Sequence, residues 1–315
     1  MKSLHDFLAE YVAVRRSFGT QYREPAKTLG HFVAFLESMG AGFITTPLAL
    51  RWACQPFEVQ RATWARRLSL VRRFATWLSA FDPRTEVPPR KLLQMRHRRP
   101  KPHIFTDEEL EQLMNSLARL HSPTGLRALS HVTLIGLLAA TGLRPGEALA
   151  LDTADVDLKN GILAIRCTKF GKSRFVPLDA STLAALTDYA TRRDELCPQR
   201  QTDAFLVSER GTRIQGCTAR RTFASASRAI GLRPSLEGHR IGRGPRLQDF
   251  RHTFATRKLI EWYRAGLNVE REMPKLATYL GHVDVAHTYW YIEAVPDLLL
   301  LASEYATTHE RGGTR

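Results

Sequence analysis

Five side chains that lie far apart in the sequence are of the types that could cut a phosphodiester bond. They are Tyr291, His282, Arg144, Arg251 and Lys169. A tyrosine oxygen can attack phosphorus, while planar guanidinium groups bind the non-bridging oxygens through paired hydrogen bonds. An ammonium group can protonate the departing sugar oxygen. Together they predict cleavage of a nucleic-acid backbone with no metal ion and no cofactor.

Two further polar residues flank the arginines at helical spacing. Glu147 lies three residues after Arg144 and could hold its guanidinium in one pose. Gln248 lies three residues before Arg251, so both are expected on one face of a helix. His252 points about 100° away from Arg251 on an ideal helix, which favours a packed histidine over a catalytic one.

The charge of the chain indicates a polyanionic partner. Lys and Arg number 46 against 31 Asp and Glu, a formal net charge of +15. Between residues 51 and 101 only Glu58, Asp82 and Glu86 oppose a run of basic residues, which predicts a surface that follows DNA phosphates. The candidate DNA-binding residues are Arg61, Arg66, Arg67, Arg72, Arg73, Arg96, Arg98 and Arg99.

Apolar periodicity predicts a helical first part and a mixed second part. Four helices are expected within residues 3–80, and a segment rich in Pro and Arg follows over 82–103. A capping box at 106–109 starts the second part, whose first long helix ends at Gly142. Residues 162–167 and 174–178 are expected to form a hairpin, with further helices and an extra strand over 203–208.

Other compositional signals predict an intracellular protein without metal sites. The four cysteines (Cys54, Cys167, Cys197 and Cys217) lack the spacing of metal ligands or redox pairs. No apolar run approaches the roughly 20 residues that span a bilayer, and no signal peptide is apparent. We expect a cytoplasmic protein with no membrane association, found at the bacterial nucleoid when bound to DNA.

The order of these motifs resembles the tyrosine recombinase (phage integrase) family, including Xer-like and transposon-borne members. The resemblance covers roughly residues 106–294. It rests on four boxes in order: Thr141-Gly142-Leu143-Arg144 with Glu147, the hairpin lysine Lys169, Gln248-Asp249-Phe250-Arg251-His252, and Leu280-Gly281-His282 followed by Tyr291.

The resemblance implies a role for each matching residue. Tyr291 is the implied nucleophile, which would form a 3′-phosphotyrosyl link. Spacing alone leaves Tyr289 as a rival, but Thr288 fits the family pattern and favours Tyr291. The remaining implied roles are a phosphate clamp for Arg144 and Arg251, phosphate binding or proton transfer for His282, and general acid for Lys169, which fills the family position better than Lys172.

Gln248 departs from the family pattern, in which this position is usually histidine. A glutamine amide can donate a hydrogen bond to a phosphate oxygen but cannot shuttle a proton near neutral pH. Arginines and a lysine nearby would lower the pKa of the attacking tyrosine, so a dedicated base need not be present. We expect activity, reduced by up to about 10²-fold if an acid/base group is missing.

The resemblance also implies an architecture and partners. The expected fold is mainly α with a small antiparallel β-sheet: a helical core-binding domain (1–95), a linker (96–105), an α+β catalytic domain (106–305) and a disordered tail (306–315). Double-stranded DNA is the expected partner, clamped between the two domains by a homo-tetramer on paired sites, with a monomer or dimer off DNA. Residues 296–305 are expected to dock either in cis or on a neighbour.

Three other functions fit parts of the sequence. A type IB topoisomerase-like enzyme would use the same chemistry without pairing two sites. A catalytically weakened DNA-binding relative would explain Gln248. A metal-dependent nuclease could use Asp152, Asp155 and Asp157, but acids between a helix and a strand usually serve turns and caps.

Overall fold

Helices make up most of the described chain, as the sequence predicts. The computed structural model describes residues 2–19, 21–55, 57, 59–93, 101–166, 173–234, 244–281 and 284. The chain divides into two compact units, Met1–Pro100 and Lys101–Arg315, each with its own hydrophobic core. Within the described ranges, no helix is both long and apolar enough to cross a membrane.

The first unit contains the four predicted helices. Ser3 and Asp6 form a capping box at the first of them. In the second, Leu29, Phe32 and Leu36 recur on one face and are fully buried, so this stripe forms the centre of the unit. The helices are α1 (Leu4–Ser17), α2 (Arg23–Ser38), α3 (Thr46–Cys54) and α4 (Arg61–Leu78).

The second unit combines seven helices with a small sheet in its described residues. Thr106 and Glu109 form the predicted capping box at its first helix. The helices are α5 (Asp107–Ala118), α6 (Leu126–Thr141), α7 (Pro145–Ala150), α8 (Ala180–Leu196), α9 (Gly216–Ala229), α10 (Asp249–Arg264) and α11 (Val269–Leu280).

The sheet is three-stranded and antiparallel, in the order β1 (Val156–Asp157), β2 (Ile162–Ile165) and β3 (Arg174–Pro177). The predicted pairing of β2 with β3 is confirmed, while the residues of their connecting turn lie outside the described ranges. The extra strand predicted over 203–208 is wrong, because only isolated bridges form at Ala204 and Val207. Burial does not alternate there: all four apolar residues from 204 to 207 are buried.

Candidate active site

The described part of the site surrounds the C-terminal end of α11. Three consecutive carbonyls, those of Tyr279–Gly281, each accept a hydrogen bond from a different arginine. Arg174 Nε donates to the first at 2.8 Å, Arg251 Nη2 to the second at 2.6 Å and Arg144 Nη2 to the third at 3.3 Å. The last carbonyls of a helix lack intrahelical partners and carry partial negative charge, so guanidinium groups stabilise this end.

Arg251 lies on α10 and is only 1% exposed. Its Nη1 donates to the carbonyl of Gly142 at 3.1 Å, while Nη2 donates to that of Leu280. A buried cation is stable only when paired or hydrogen-bonded, and these carbonyls provide partners at the ends of α6 and α11. Arg251 therefore joins three helices and is held in one orientation.

Gly142 allows this approach for two reasons. Its φ is +61°, the left-handed region that favours glycine at a helix end. A Cβ at this position would lie 2.6 Å from the ring of Phe254 on α10. Any larger residue would therefore require Phe254 to move at the point where α10 approaches the end of α6.

Glu147 is shared between two arginines. Its Oε1 accepts from Arg144 Nη1 at 2.7 Å and from Arg174 Nη1 at 3.2 Å, and its Oε2 accepts from Arg174 Nη2 at 2.8 Å. Oε2 also accepts from the backbone N–H of Arg144 at 3.0 Å. Burial alone would raise the pKa of Glu147, but hydrogen bonds and charge from Arg174, and then from Arg144, hold that pKa below its usual value.

Arg144 and Arg174 differ in exposure although they share this carboxylate. The Arg144 side chain is 35% exposed, whereas that of Arg174 is 12% exposed. Arg144 can therefore reach a ligand in solution without leaving Glu147. Sequence reasoning assigned Arg174 to a strand and gave it no place in the site.

Gln248 and His252 both lie near the start of α10. Gln248 is the residue before the first turn of α10, is half-buried, and its amide has no hydrogen-bond partner among the described residues. His252 is half-buried, and burial lowers its pKa to about 4. An imidazole that stays neutral down to this pH fits the predicted packed histidine.

Residues 103–296, more than half of the chain, match the phage integrase family. The chain belongs to the phage integrase family.

Individual proteins with similar sequences agree with this family match. The chain is 43% identical over 303 residues to the y4rB protein of Sinorhizobium fredii (strain NBRC 101917 / NGR234), named as an inferred integrase or recombinase, with 95% of each chain covered. It is 32% identical over 234 residues to tyrosine recombinase XerD of Caulobacter vibrioides (strain ATCC 19089 / CIP 103742 / CB 15), with 73% of this chain and 70% of XerD covered.

Solved structures share the fold. The Tn1549 transposon integrase in complex with transposon right end DNA superposes with a TM-score of 0.63 at 15% identity, covering 92% of this chain and 94% of that one. XerH recombinase bound to palindromic difH substrate in a post-cleavage complex gives 0.61 at 18% identity, covering 90% and 78%. At these identities the likeness is one of fold.

The structure brings together only some of the residues that the integrase pattern singles out. Arg144, Glu147 and Arg251 meet at the end of α11, which stops two residues before His282 in the sequence. The other integrase positions lie outside the described residues: Lys169, His282, Thr288 and Tyr291.

The arginines predicted to bind DNA in the first unit of this integrase fall into two groups. Arg61, Arg66 and Arg73 are exposed on α4. Arg67 instead stacks 3.7 Å above the ring of Trp52 and donates to its carbonyl at 2.9 Å. Arg72 donates at 2.7 Å to each of two proline carbonyls, those of Pro88 and Pro89, while Arg96, Arg98 and Arg99 lie outside the described residues.

A groove beside α4 extends the exposed group. It is lined by Arg15, Arg73 and Arg90, by Arg72 with its carbonyl hydrogen bonds, and by aromatic residues such as Trp77. The described lining contains no carboxylate. Positive charge beside aromatic faces is the composition expected of a surface that follows a nucleic-acid backbone.

The three acids considered for a nuclease serve local structure in this integrase. Asp152 pairs with Arg213, and Asp155 pairs with Arg166. Asp157 accepts from the backbone N–H groups of residues 159 and 160, as turn aspartates do. No group of three or more metal-type ligands occurs among the described residues.

Proposed function

We propose that this integrase is a site-specific DNA recombinase that cuts and rejoins DNA through a 3′-phosphotyrosyl intermediate. The observation that carries the proposal is the convergence of Arg144 and Arg251 on consecutive carbonyls at the end of α11. The implied nucleophile Tyr291 follows that helix by eleven residues in the sequence. Family membership and the order of the four boxes support the same function.

The proposed reaction is a pair of transesterifications. The Tyr291 hydroxyl loses its proton to water, its oxygen attacks the scissile phosphorus, a Tyr–O–P bond forms, and the bond from phosphorus to the 5′ oxygen breaks. Lys169 donates the proton that this leaving oxygen takes up. A free 5′ hydroxyl then attacks the phosphotyrosine and reverses the step. The phosphodiester energy is kept in the covalent intermediate, so rejoining requires no ATP. The arginines and Lys169 provide the charge stabilisation and the proton for which other enzymes use a metal ion.

Arg144 and Arg251 supply the electrostatic part of this proposal. Both guanidinium groups are held by backbone or carboxylate acceptors before substrate binds. Donors fixed in this way stabilise the charge that develops on phosphorus without reorganising during the reaction. His282 and the Gln248 amide would each add a hydrogen bond to a phosphate oxygen.

Double-stranded DNA is the proposed partner, bound by a homo-tetramer on paired sites. Solved proteins with the same fold, the Tn1549 integrase and XerH, are bound to DNA. The exposed arginines of α4 and the basic groove beside it provide phosphate contacts in the first unit. Gln248 favours one alternative, a catalytically weakened DNA-binding relative, which would bind the same sites without forming an adduct.

Trapping the covalent intermediate tests the proposal. The full chain is incubated with a nicked suicide duplex carrying its attachment site, found by selecting bound fragments from the host genome. We expect a protein–DNA adduct in the presence of EDTA, mapped to Tyr291 by mass spectrometry. Tyr291→Phe should abolish the adduct and retain DNA binding, whereas the matched variant Tyr289→Phe should keep both.

Three results would contradict the proposal. An adduct that persists in Tyr291→Phe would assign the nucleophile to another residue. Specific binding without any adduct would favour the weakened relative. Relaxation of a supercoiled plasmid that carries a single site, without joining of two sites, would favour the topoisomerase-like alternative.

A further inference from the structure

We propose that Arg174 is a positioning residue for the Arg144 guanidinium, acting through the shared Glu147 carboxylate and through the last turn of α11. This inference rests on the proposed function. Arg174 acts without touching the substrate: its Nε, Nη1 and Nη2 all donate to protein acceptors, and its side chain is only 12% exposed.

The geometry at Glu147 requires a planar guanidinium that can donate to both carboxylate oxygens. Arg174 donates to both carboxylate oxygens at 3.2 and 2.8 Å, which fixes the plane of the carboxylate. Glu147 in that plane accepts from both the side chain and the backbone of Arg144. A lysine could supply the charge at position 174 but only as a point, so the carboxylate would be free to rotate.

Arg174 also holds the end of α11 by two contacts. Its Nε donates to the Tyr279 carbonyl at 2.8 Å. Its Nη1 lies 2.9 Å from where a Cβ on Gly281 would stand, and Gly281 has a φ of +68°. The glycine therefore provides both the backbone turn and the space in which the guanidinium packs.

These contacts connect three elements of the proposed site. Arg174 begins β3, five residues after the proposed general acid Lys169 in the sequence. Glu147 lies on α7, the helix that begins directly after Arg144. In the sequence, α11 ends two residues before His282. The Arg174 side chain thus connects three parts of the proposed site. They are strand β3, the phosphate-binding Arg144, and the turn at Gly281 that precedes Tyr291 in the sequence.

The charge of Arg174 also keeps Glu147 ionised. Among the described residues, the charged groups in contact with Glu147 are Arg144 and Arg174. Burial acts to raise the pKa of Glu147, and the hydrogen bonds and charge of Arg174 are the largest influences that lower it. Without Arg174 that pKa rises, so Glu147 becomes protonated at a higher pH and ceases to hold Arg144.

The test compares single-turnover adduct formation at saturating DNA in Arg174→Met, Arg174→Lys and a control, Arg213→Met. Arg213 is also partly buried, and it donates to the carbonyls of Leu149 and Leu151 and to Asp152 at the far end of α7. We expect Arg174→Met to lower the rate by about 10²-fold with DNA affinity nearly unchanged, as misplacement of a binding group does. Arg213→Met should keep the wild-type rate.

The pH dependence and a double-mutant cycle separate positioning from a structural role. In Arg174→Met the loss of rate on the acid side should begin at a higher pH than in the wild type. Arg174→Lys should restore that profile, because the charge returns, but not the full rate. In a Glu147→Gln background, Arg174→Met should have a much smaller effect than alone, because the two act in series.

Each outcome decides between explanations. Wild-type rates in Arg174→Met, or equal losses in Arg174→Met and Arg213→Met, would overturn the positioning role and leave the proposed function intact. Additive losses from Arg174→Met and Glu147→Gln would also overturn it. Absence of an adduct with the wild-type chain would overturn both the function and the role.

Discussion

The two units of the chain use arginine in different ways. On α4 of the first unit, Arg66 and Arg73 are exposed and lie two helical turns apart on one face. Around α11 of the second unit, Arg251 is buried, Arg174 is only 12% exposed, and both donate to backbone carbonyls. The same side chain is exposed to solvent in one place and held in one orientation in the other.

Under the proposed function, the difference corresponds to two kinds of phosphate binding. An exposed guanidinium on a flexible stem can contact any phosphate along a duplex, and its contribution comes largely from counterion release. A guanidinium held before the substrate arrives can stabilise one transition state, because no reorganisation is needed. We therefore expect the first group to determine affinity and its salt dependence, and the second to determine the rate of cleavage.

Among the arginine variants, the largest effect is expected from Arg251→Lys. Lysine keeps a charge but cannot bridge the carbonyls of Gly142 and Leu280 while facing a phosphate. Adduct formation on the suicide duplex should fall by about 10² to 10³-fold at saturating DNA, the usual loss when one fixed donor is removed. The slope of log K against log salt for DNA binding should change by less than the amount expected for one phosphate contact.

Arg193→Lys is the matched control for this loss. Arg193 is equally buried at 1% exposure and donates to the Phe205 carbonyl and to Asp194, on α8. Its replacement should lower the thermal unfolding midpoint as Arg251→Lys does and leave the rate of adduct formation unchanged. Equal rate losses in both variants would attribute the effect to general destabilisation.

A smaller effect is expected from the double variant Arg66→Ala and Arg73→Ala. Each lost phosphate contact reduces the slope of log K against log salt by about 0.9, so the slope should fall by about 1.8 in total. Affinity near physiological salt should drop by about tenfold, while the rate of adduct formation at saturating DNA stays at the wild-type value.

A charge-matched control separates position from net charge. Arg84→Ala with Arg192→Ala removes two equally exposed arginines that already pair with Asp82 and Asp188. Its salt slope should stay close to that of the wild type. A slope that falls equally in the two double variants would show that total charge, and not the α4 face, governs binding.

Much of the fold follows from local sequence signals, since apolar periodicity and capping residues act over a few positions. The stripe on α2, the capping boxes at Ser3 and Thr106, and the helix end at Gly142 were all predictable. The strand predicted over 203–208 does not form. Its apolar residues are all buried, so their composition is typical of a strand, but they make only isolated bridges and no regular ladder.

Arg174 shows what local patterns miss within the site. Side chains alternate along a strand, so Arg174 shares the inward face with the fully buried Val176, while Phe175 points outward and is 75% exposed. A charged residue facing inward with an aromatic residue facing outward reverses the usual arrangement and indicates a buried polar partner. The identity of that partner, Glu147, depends on tertiary contacts that no local spacing encodes.

Arg67 and Arg72 show the converse limit. Both belong to the basic run, yet one stacks on Trp52 and the other bonds carbonyls at Pro88 and Pro89. A guanidinium can pack against an aromatic ring as readily as it binds phosphate, so residue type alone does not separate the two uses. Only the packing of α3 and of residues 88–89 against α4 identifies these arginines as structural.

The smallest effect, and the one with the opposite sign, is expected from Gln248→His. Gln248 stands three residues before Arg251 at the start of α10, is half-buried, and has no side-chain partner among the described residues, so an imidazole replaces the amide without breaking a bond seen there. Adduct formation near pH 7 should stay equal or rise by less than about tenfold, since the added group can both donate a hydrogen bond and transfer a proton. Gln248→Met, which keeps the length but removes both donors and acceptors, should lower the rate. If Gln248→His is slower than the wild type and Gln248→Met is slower still, the amide itself binds the phosphate, and position 248 belongs with the fixed donors of the second unit.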